Sequence, residues 1–285
     1  MKKVLCLALS IIMAIGICGC SSKESESKIT QLSDLEGKDI GIRTFSDGFD
    51  PESAKENFKQ LTKANINSIV ACESGTDNAI LNLQSGKISA LITSGFEADY
   101  YAKMNEKLGV IDFPEYPSNQ VAYMGVAKAQ TEIFDILDSA ITELKDNGTL
   151  DELTDKYVTN LTKETQDEKI AIPQIKGAKT IKVAVTGSAI PLDYFDASGN
   201  PAGFDIALLK EIAELKGVNF EISTYEPNGG LAAVTSGKAD VYFCLSSEKS
   251  TYESGFNKET LDKLYGISAT DYYFESSGMK ILINK

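Results

Sequence analysis

The chain has 285 residues, 42% of them hydrophobic and 24% charged, with a formal net charge of -13 and neither histidine nor tryptophan. That length suits one large domain or two of ordinary size, each with its own core. The acidic balance argues against nucleic acid or an anionic membrane surface as partners held by charge. Without histidine, Ser-His-Asp and Cys-His catalysis and most zinc sites are excluded, and neither a cofactor nor a metal is implied.

Lys2 and Lys3 precede an apolar run from Val4 to Ile17, of signal-peptide length and too short for a comfortable membrane span. The run ends in Ile17-Cys18-Gly19-Cys20-Ser21-Ser22, which resembles a bacterial lipobox. The resemblance implies a lipoprotein signal over 1–19, Cys20 as the lipidated residue (a palmitate-type anchor), and a polar tether over 20–28. An ordinary secretory signal with an incidental cysteine is the alternative. The later cysteines, Cys72 and Cys244, have apolar neighbours and read as buried free thiols.

From Ile29 the pattern alternates. Strands are expected at Asp39–Arg43, Asn67–Cys72, Ser89–Thr93, Val110–Phe113 and Val121–Ala127. Between them run helices over Pro51–Ala64, capped by Asp50, over Asp77–Gln84 and over Glu97–Leu108. Two helices come next, Thr131–Lys145 and Leu150–Thr159, broken at Asn147-Gly148. Residues 161–179, with Pro173 and Gly177, read as a linker. The scheme then restarts: a strand over Thr180–Val185, a helix over Asp205–Lys216, a strand over Asn219–Tyr225, a helix over Gly230–Thr235, and strands over Ala239–Leu245 and Gly278–Ile283. This alternation predicts an α/β fold of mainly parallel sheets with helices on both faces.

Two phrases mark the doubling. LQSGKISALI (Leu83–Ile92) and VTSGKADVYF (Val234–Phe243) both read as helix end, Ser-Gly-Lys, then strand. Glycine caps a helix and lysine favours its C-terminus, so the phrase alone is ordinary. Set inside two matching strand–helix units, it marks equivalent junctions in two lobes.

Longer segments carry a family resemblance. IKVAVTGSAIPLDYFDASGNPAGFDIALLKEIAELKGVNFEI, LAAVTSGKADVYF and ATDYYF resemble the first lobe of the extracellular solute-binding proteins of bacterial ABC transporters, amino-acid type. LSDLEGKDIGIR, LQSGKISALITS and ELKDNGTLDELTDKYV resemble that family's second lobe and C-terminal helices. The resemblance implies a periplasmic-binding-protein-like fold of two lobes with a ligand cleft between them, but here the lobe order is exchanged. It is expected as a circular permutant: 29–127 as the second-lobe unit, 128–160 as helices packing on the other lobe, 161–179 joining the family's ends, and 180–285 as the first-lobe unit. A remnant of a larger tandem protein, and two chains swapping lobes, fit the same order.

The resemblance also implies site positions. Arg43, the chain's single arginine, stands beside the ligand loop, where a guanidinium fork suits a carboxylate. A surface cation is the plain alternative. Phe45 and Ser46 take the places of the family's Gly-Thr. Ser94 stands where an aspartate often pairs with a ligand ammonium. Glu97 or Asp99 could replace that charge, though Glu97 reads equally as a first-turn surface acid. Asp193 and Tyr194 match the aromatic-rich ligand loop, with a turn-stabilising aspartate as the alternative. Ser246 and Lys249 fall where the family has threonine and a carboxylate-gripping arginine, but lysine cannot make the bidentate pair. The function implied is that of a lipid-anchored binding protein, not an enzyme, that captures a small polar solute, an amino acid or a relative of one, for a membrane permease. An extracytoplasmic sensor with the same cleft is the other reading, and an enzyme acting on small acids a remoter one.

Overall fold

A computed structural model of the chain describes residues 28–43, 49–72, 75–114, 119–196 and 198–285. The expected signal segment and Cys20 lie outside the described residues, as do Phe45 and Ser46. The first half runs β1 (Asp39–Arg43), α1 (Pro51–Thr62), β2 (Ser68–Cys72), α2 (Gly75–Gln84), β3 (Ala90–Ser94), α3 (Gly95–Met104) and β4 (Leu108–Asp112). Then come β5 (Gln120–Ala127), α4 (Thr131–Asp146), α5 (Thr149–Thr154), a π-helical turn (Asp155–Thr159) and the single turn α6 (Lys163–Gln166). The second half runs β6 (Thr180–Val185), β7 (Ser188–Ala189), β8 (Asp193–Phe195), β9 (Pro201–Ala202), α7 (Phe204–Lys216), β10 (Asn219–Thr224) and α8 (Pro227–Thr235). It closes with β11 (Val241–Glu248), α9 (Lys249–Glu253), α10 (Phe256–Tyr265), β12 (Ile267–Ser276) and β13 (Met279–Asn284). Asp50 caps α1 as expected, accepting from the Glu52 amide at 3.2 Å.

Two five-stranded sheets organise the described residues, in the orders β2-β1-β3-β13-β4 and β10-β6-β11-β5-β12, and the lobes built on them are the first and the second lobe in chain order. The orders match position for position. In each sheet the first three strands are parallel and the fourth, from the other half of the chain, is antiparallel to its neighbours. The two lobes therefore exchange one strand each, and both sheets are completed within the single chain. The expected lobe boundaries change accordingly: Val121–Ala127 leaves the 29–127 unit for the second sheet, and Met279–Asn284 leaves the 180–285 unit for the first. A strand buried on both faces reads alike in either sheet, so hydropathy cannot assign it.

Both sheets carry cores on two faces, because successive strand side chains point to opposite sides. Ala90, Ile92, Ile281 and Ile283 join Phe58 of α1 on one face of the first sheet, while Leu91 and Leu282 join Leu83 of α2 on the other. In the second lobe Ala122, Met124 and Val126 face α4, α5 and α7, and Val121 and Tyr123 face α8, α9 and α10. The Cys72 side chain is buried and unpaired with another cysteine.

Residues 246–277 show little periodicity in sequence, yet form the end of β11, α9, α10 and β12. The pairing of β12 with β5 shifts register between Ala269 and Tyr272 and again between Tyr272 and Phe274, and bulges of this kind erase the two-residue alternation. The first irregularity is satisfied locally. Thr270 Oγ1 accepts from the Met124 amide at 3.1 Å, and Asp138 of α4 accepts from the Asp271 amide at 2.6 Å.

Two short crossings join the lobes, β4 to β5 and β12 to β13. They leave the second sheet side by side, since Gln120 and Ser276 are paired. The second crossing rests on α3: the Gly95 amide donates to the Gly278 carbonyl at 2.9 Å.

The cavity between the lobes

In a parallel sheet the loops that leave the carboxyl ends of the strands form the natural ligand crevice. Here both sheets present those ends to each other. Arg43 ends β1, Ser94 ends β3, and Thr186 follows β6. Between them lies a cavity of about 360 Å³, within the range of small-molecule sites. Arg43, Thr93, Ser94, Phe96, Glu97 and Met279 line it from the first lobe. The second lobe contributes Gln120, Val121 and Ala122, the Thr186–Leu192 loop, and Leu231, Tyr242, Leu245, Ser246, Phe274 and Ser276. Gly230 of α8 makes room for one wall: a Cβ there would come within 2.2 Å of the Tyr242 ring.

The charged groups of the lining meet each other. Arg43 Nη1 pairs with Glu97 Oε1, and the two side chains are only 7% and 3% exposed. The other Glu97 oxygen accepts from Thr93 Oγ1 at 2.5 Å and Ser94 Oγ at 2.9 Å. Arg43 Nη2 reaches across the cleft and donates to the Ser188 carbonyl at 3.0 Å. Ser94 and Glu97 have the Ser-x-x-Glu spacing of a capping box at the start of α3, but the Ser94 hydroxyl turns to the carboxylate and makes no cap hydrogen bond. Glu97 is thus a cavity wall and not the exposed first-turn acid that its spacing equally allowed. A second interlobe contact is aromatic: Phe96 and Phe274 pack edge to face with centroids 5.6 Å apart.

Of the sequence-derived site residues, Arg43, Ser94 and Ser246 line the cavity. Asp193, Tyr194 and Lys249 are not among its lining residues. The Asp193 carboxylate accepts from the Thr186 and Gly187 amides and from Thr186 Oγ1, at 2.7–2.9 Å. Burial raises its pKa, and those donors work against the rise. It shapes the 186–189 loop, whose Ser188 receives Arg43. The Tyr194 hydroxyl donates to the Gln166 carbonyl at 3.2 Å, and Gln166 Nε2 donates to the Tyr100 hydroxyl at 2.7 Å. The turn α6, inside the expected linker, therefore touches both lobes at once.

Lys249 works at the crossing. Its ammonium meets Glu275 Oε2 at 2.7 Å, Asn119 Nδ2 donates to Glu275 Oε1 at 2.7 Å, and the Lys249 amide donates to the Asn119 carbonyl at 2.8 Å. The three residues tie the end of the first crossing to the end of β12. The hydrogen bond from Lys249, followed by that from Asn119, holds the Glu275 carboxyl below its ordinary value of 4.5. A depressed folded-state pKa contributes stability that is present above the unfolded value and lost as pH falls through the folded one. Glu275→Gln is therefore expected to cost stability at pH 7 and to cost less at pH 3. Urea midpoints of both chains at the two pH values check this, and a gap that does not change with pH would sink the ion-pair account.

Phe96, Tyr242, Leu245, Phe274 and Ser276 carry no sequence signal of a site. Phe96, Leu245 and Ser276 lie outside the segments that carry the resemblance, and Tyr242 and Phe274, inside VTSGKADVYF and ATDYYF, read there as core residues.

Residues 181–253 match the profile of the bacterial extracellular solute-binding proteins, family 3. The arginine-binding extracellular protein ArtP of Bacillus subtilis (strain 168) is 26% identical over 141 residues, covering 48% of this chain and 51% of that protein. The matched part thus spans about half the length of this curated relative. Among solved structures, an ancestral arginine-binding protein bound to arginine is 13% identical, covering 88% of this chain and 86% of that one with a TM-score of 0.42. A putative L-cystine ABC transporter from Listeria monocytogenes is 15% identical, covering 88% and 84%, with a TM-score of 0.42.

Proposed function

We propose that this chain, which carries the family 3 solute-binding profile over residues 181–253, is an extracytoplasmic solute-binding protein. Held to the membrane by a lipid on Cys20, it encloses a small molecule between its lobes and delivers it to the permease of an ABC-type importer. The observation that carries this reading is the cavity itself. It lies at the carboxyl ends of parallel strands in two lobes, takes its walls from both, and is spanned by two short crossings. Such an architecture opens and closes about its crossings, and the ligand's contacts with both lobes favour the closed form. The names of the relatives bring amino acids as the first solutes to test.

The permuted lobe order belongs to the same proposal. It is supported by the matching strand orders of the two sheets and by segment 161–179, which runs from the helices of the second lobe to that lobe's own first strand.

Thermal unfolding of the full-length chain against amino acids and other small solutes tests the reading, with mass in solution read alongside. A ligand held only by the folded state stabilises it by about 2.7 kcal/mol at a hundredfold excess over Kd. A shift with one solute in a monomer is the expected result. No shift with any solute, or a shift confined to a dimer, counts against it. The same titration on a chain reopened within 161–179 and closed by a flexible linker from Lys285 to Lys28 checks the order, since a permutant reopened there folds and binds as its parent does.

A further inference from the structure

Resting on the solute-binding reading, we propose that the interlobe cavity takes an uncharged, largely apolar small molecule bearing a hydroxyl or carbonyl group, and not a free α-amino acid. Charge is the first reason. A free amino acid brings an ammonium and a carboxylate, and burying either requires an opposite charge with lone pairs or protons to spare. Among the described residues the charged pair in the lining is Arg43 and Glu97, and the two neutralise each other. Further hydrogen bonds hold both in place. Thr93 and Ser94 hold the second Glu97 oxygen, and the Ser188 carbonyl takes the second Arg43 nitrogen. To admit a zwitterion, the cavity has to part a buried ion pair and three supporting hydrogen bonds spread over both lobes.

The two other positions at which the family resemblance implies headgroup anchors do not supply charge. Ser94 stands at the aspartate position and spends its hydroxyl on Glu97. Lys249 stands at the arginine position and is bound to Glu275, outside the lining.

What the cavity does present is apolar. Phe96, Leu192, Leu231, Leu245, Phe274 and Met279 come from five different elements and one loop around a single space. Transfer of an apolar solute onto such walls is favourable by area alone. Against this background the Ser276 hydroxyl stands out. Ser276 Oγ, in the lining, is buried and makes no hydrogen bond. A buried hydroxyl left unpaired is costly, and a ligand hydroxyl or carbonyl that meets it removes that cost. It sits at the end of β12, immediately before the second crossing, so a ligand bonded there bears directly on the segment that moves when the lobes close.

Matched pairs of probes separate the ligand classes. L-leucine and L-phenylalanine are titrated into the full-length chain beside N-acetyl-L-leucine amide, N-acetyl-L-phenylalanine amide, cyclohexanol and 2-phenylethanol, with binding read by calorimetry. The expected result is heat and saturation with neutral probes and at least tenfold weaker binding of each zwitterion than of its blocked counterpart. Ser276→Ala is expected to weaken the hydroxyl-bearing probes about tenfold, which corresponds to about 1.4 kcal/mol. A free amino acid that binds more tightly than its blocked form overturns the ligand class and leaves the solute-binding reading standing. Binding by no probe of either kind overturns both. Neutral probes that bind Ser276→Ala as they bind the parent overturn the role given to that hydroxyl.

Discussion

Glu97→Ala is expected to destabilise the chain by about 3–5 kcal/mol, the range for removing one partner of a buried ion pair. The truncation leaves the Arg43 guanidinium, 7% exposed, facing an apolar cavity, and strands the hydroxyls of Thr93 and Ser94. Removing both charges at once is a different experiment. Arg43→Met with Glu97→Leu fills similar volume without a stranded charge, and such replacements are often close to neutral. The double variant is therefore expected to be more stable than Glu97→Ala alone. Urea unfolding of the three chains measures the difference. A loss under about 1 kcal/mol for Glu97→Ala would place the pair with solvent-screened surface pairs, and the closed, self-neutralised cavity would not stand.

The second large effect is expected at Gly203→Ala. Gly203 precedes α7 with φ +105° and ψ -179°, a conformation essentially confined to glycine. A Cβ there meets the Leu192 carbonyl oxygen at 2.4 Å and that of Pro191 at 2.7 Å. Backbone cannot yield as a side-chain tip can. Strain of about 1–3 kcal/mol from the dihedral angles adds to a further 1–3 kcal/mol or so from overpacking. The loop that must move carries Leu192 on the cavity wall, and its register is fixed by the Phe204 and Asp205 amides donating to Pro191 and Leu192. The substitution should thus lower both the unfolding midpoint and ligand affinity. Gly199→Ala makes the control, because its Cβ meets nothing within 4 Å although its φ is +80°. If Gly203→Ala costs no more than Gly199→Ala, the close approach to the loop is not what holds this glycine.

These two positions show how differently the site and the fold are written into the chain. The Gly-Phe-Asp start of α7 is visible as a helix beginning, and so are the ends of β1 and β3 that place Arg43 and Ser94. The role of Glu97 is not. Three residues after a serine, it has the spacing of a helix cap, and only the arrival of Arg43, 54 residues earlier in the chain, makes it a buried counter-ion. Lys249 and Asp193 draw notice through their places in recognisable segments. The structure puts each to work on the frame of the cleft, Lys249 at the crossing and Asp193 beneath the 186–189 loop.

The sequence by itself determined the α/β class, the strand–helix–strand–helix–strand series that opens each repeating unit, and the fact of two lobes, because hydropathy period, capping residues and glycine stops act within a few residues of each other. Tertiary structure alone decided that β5 and β13 trade sheets, that Arg43 reaches Ser188 145 positions away, and that apolar side chains from scattered elements enclose one cavity. Those outcomes depend on which buried strand pairs with which edge and on which charge finds which partner, and such choices are made by packing between segments that carry no local mark of one another.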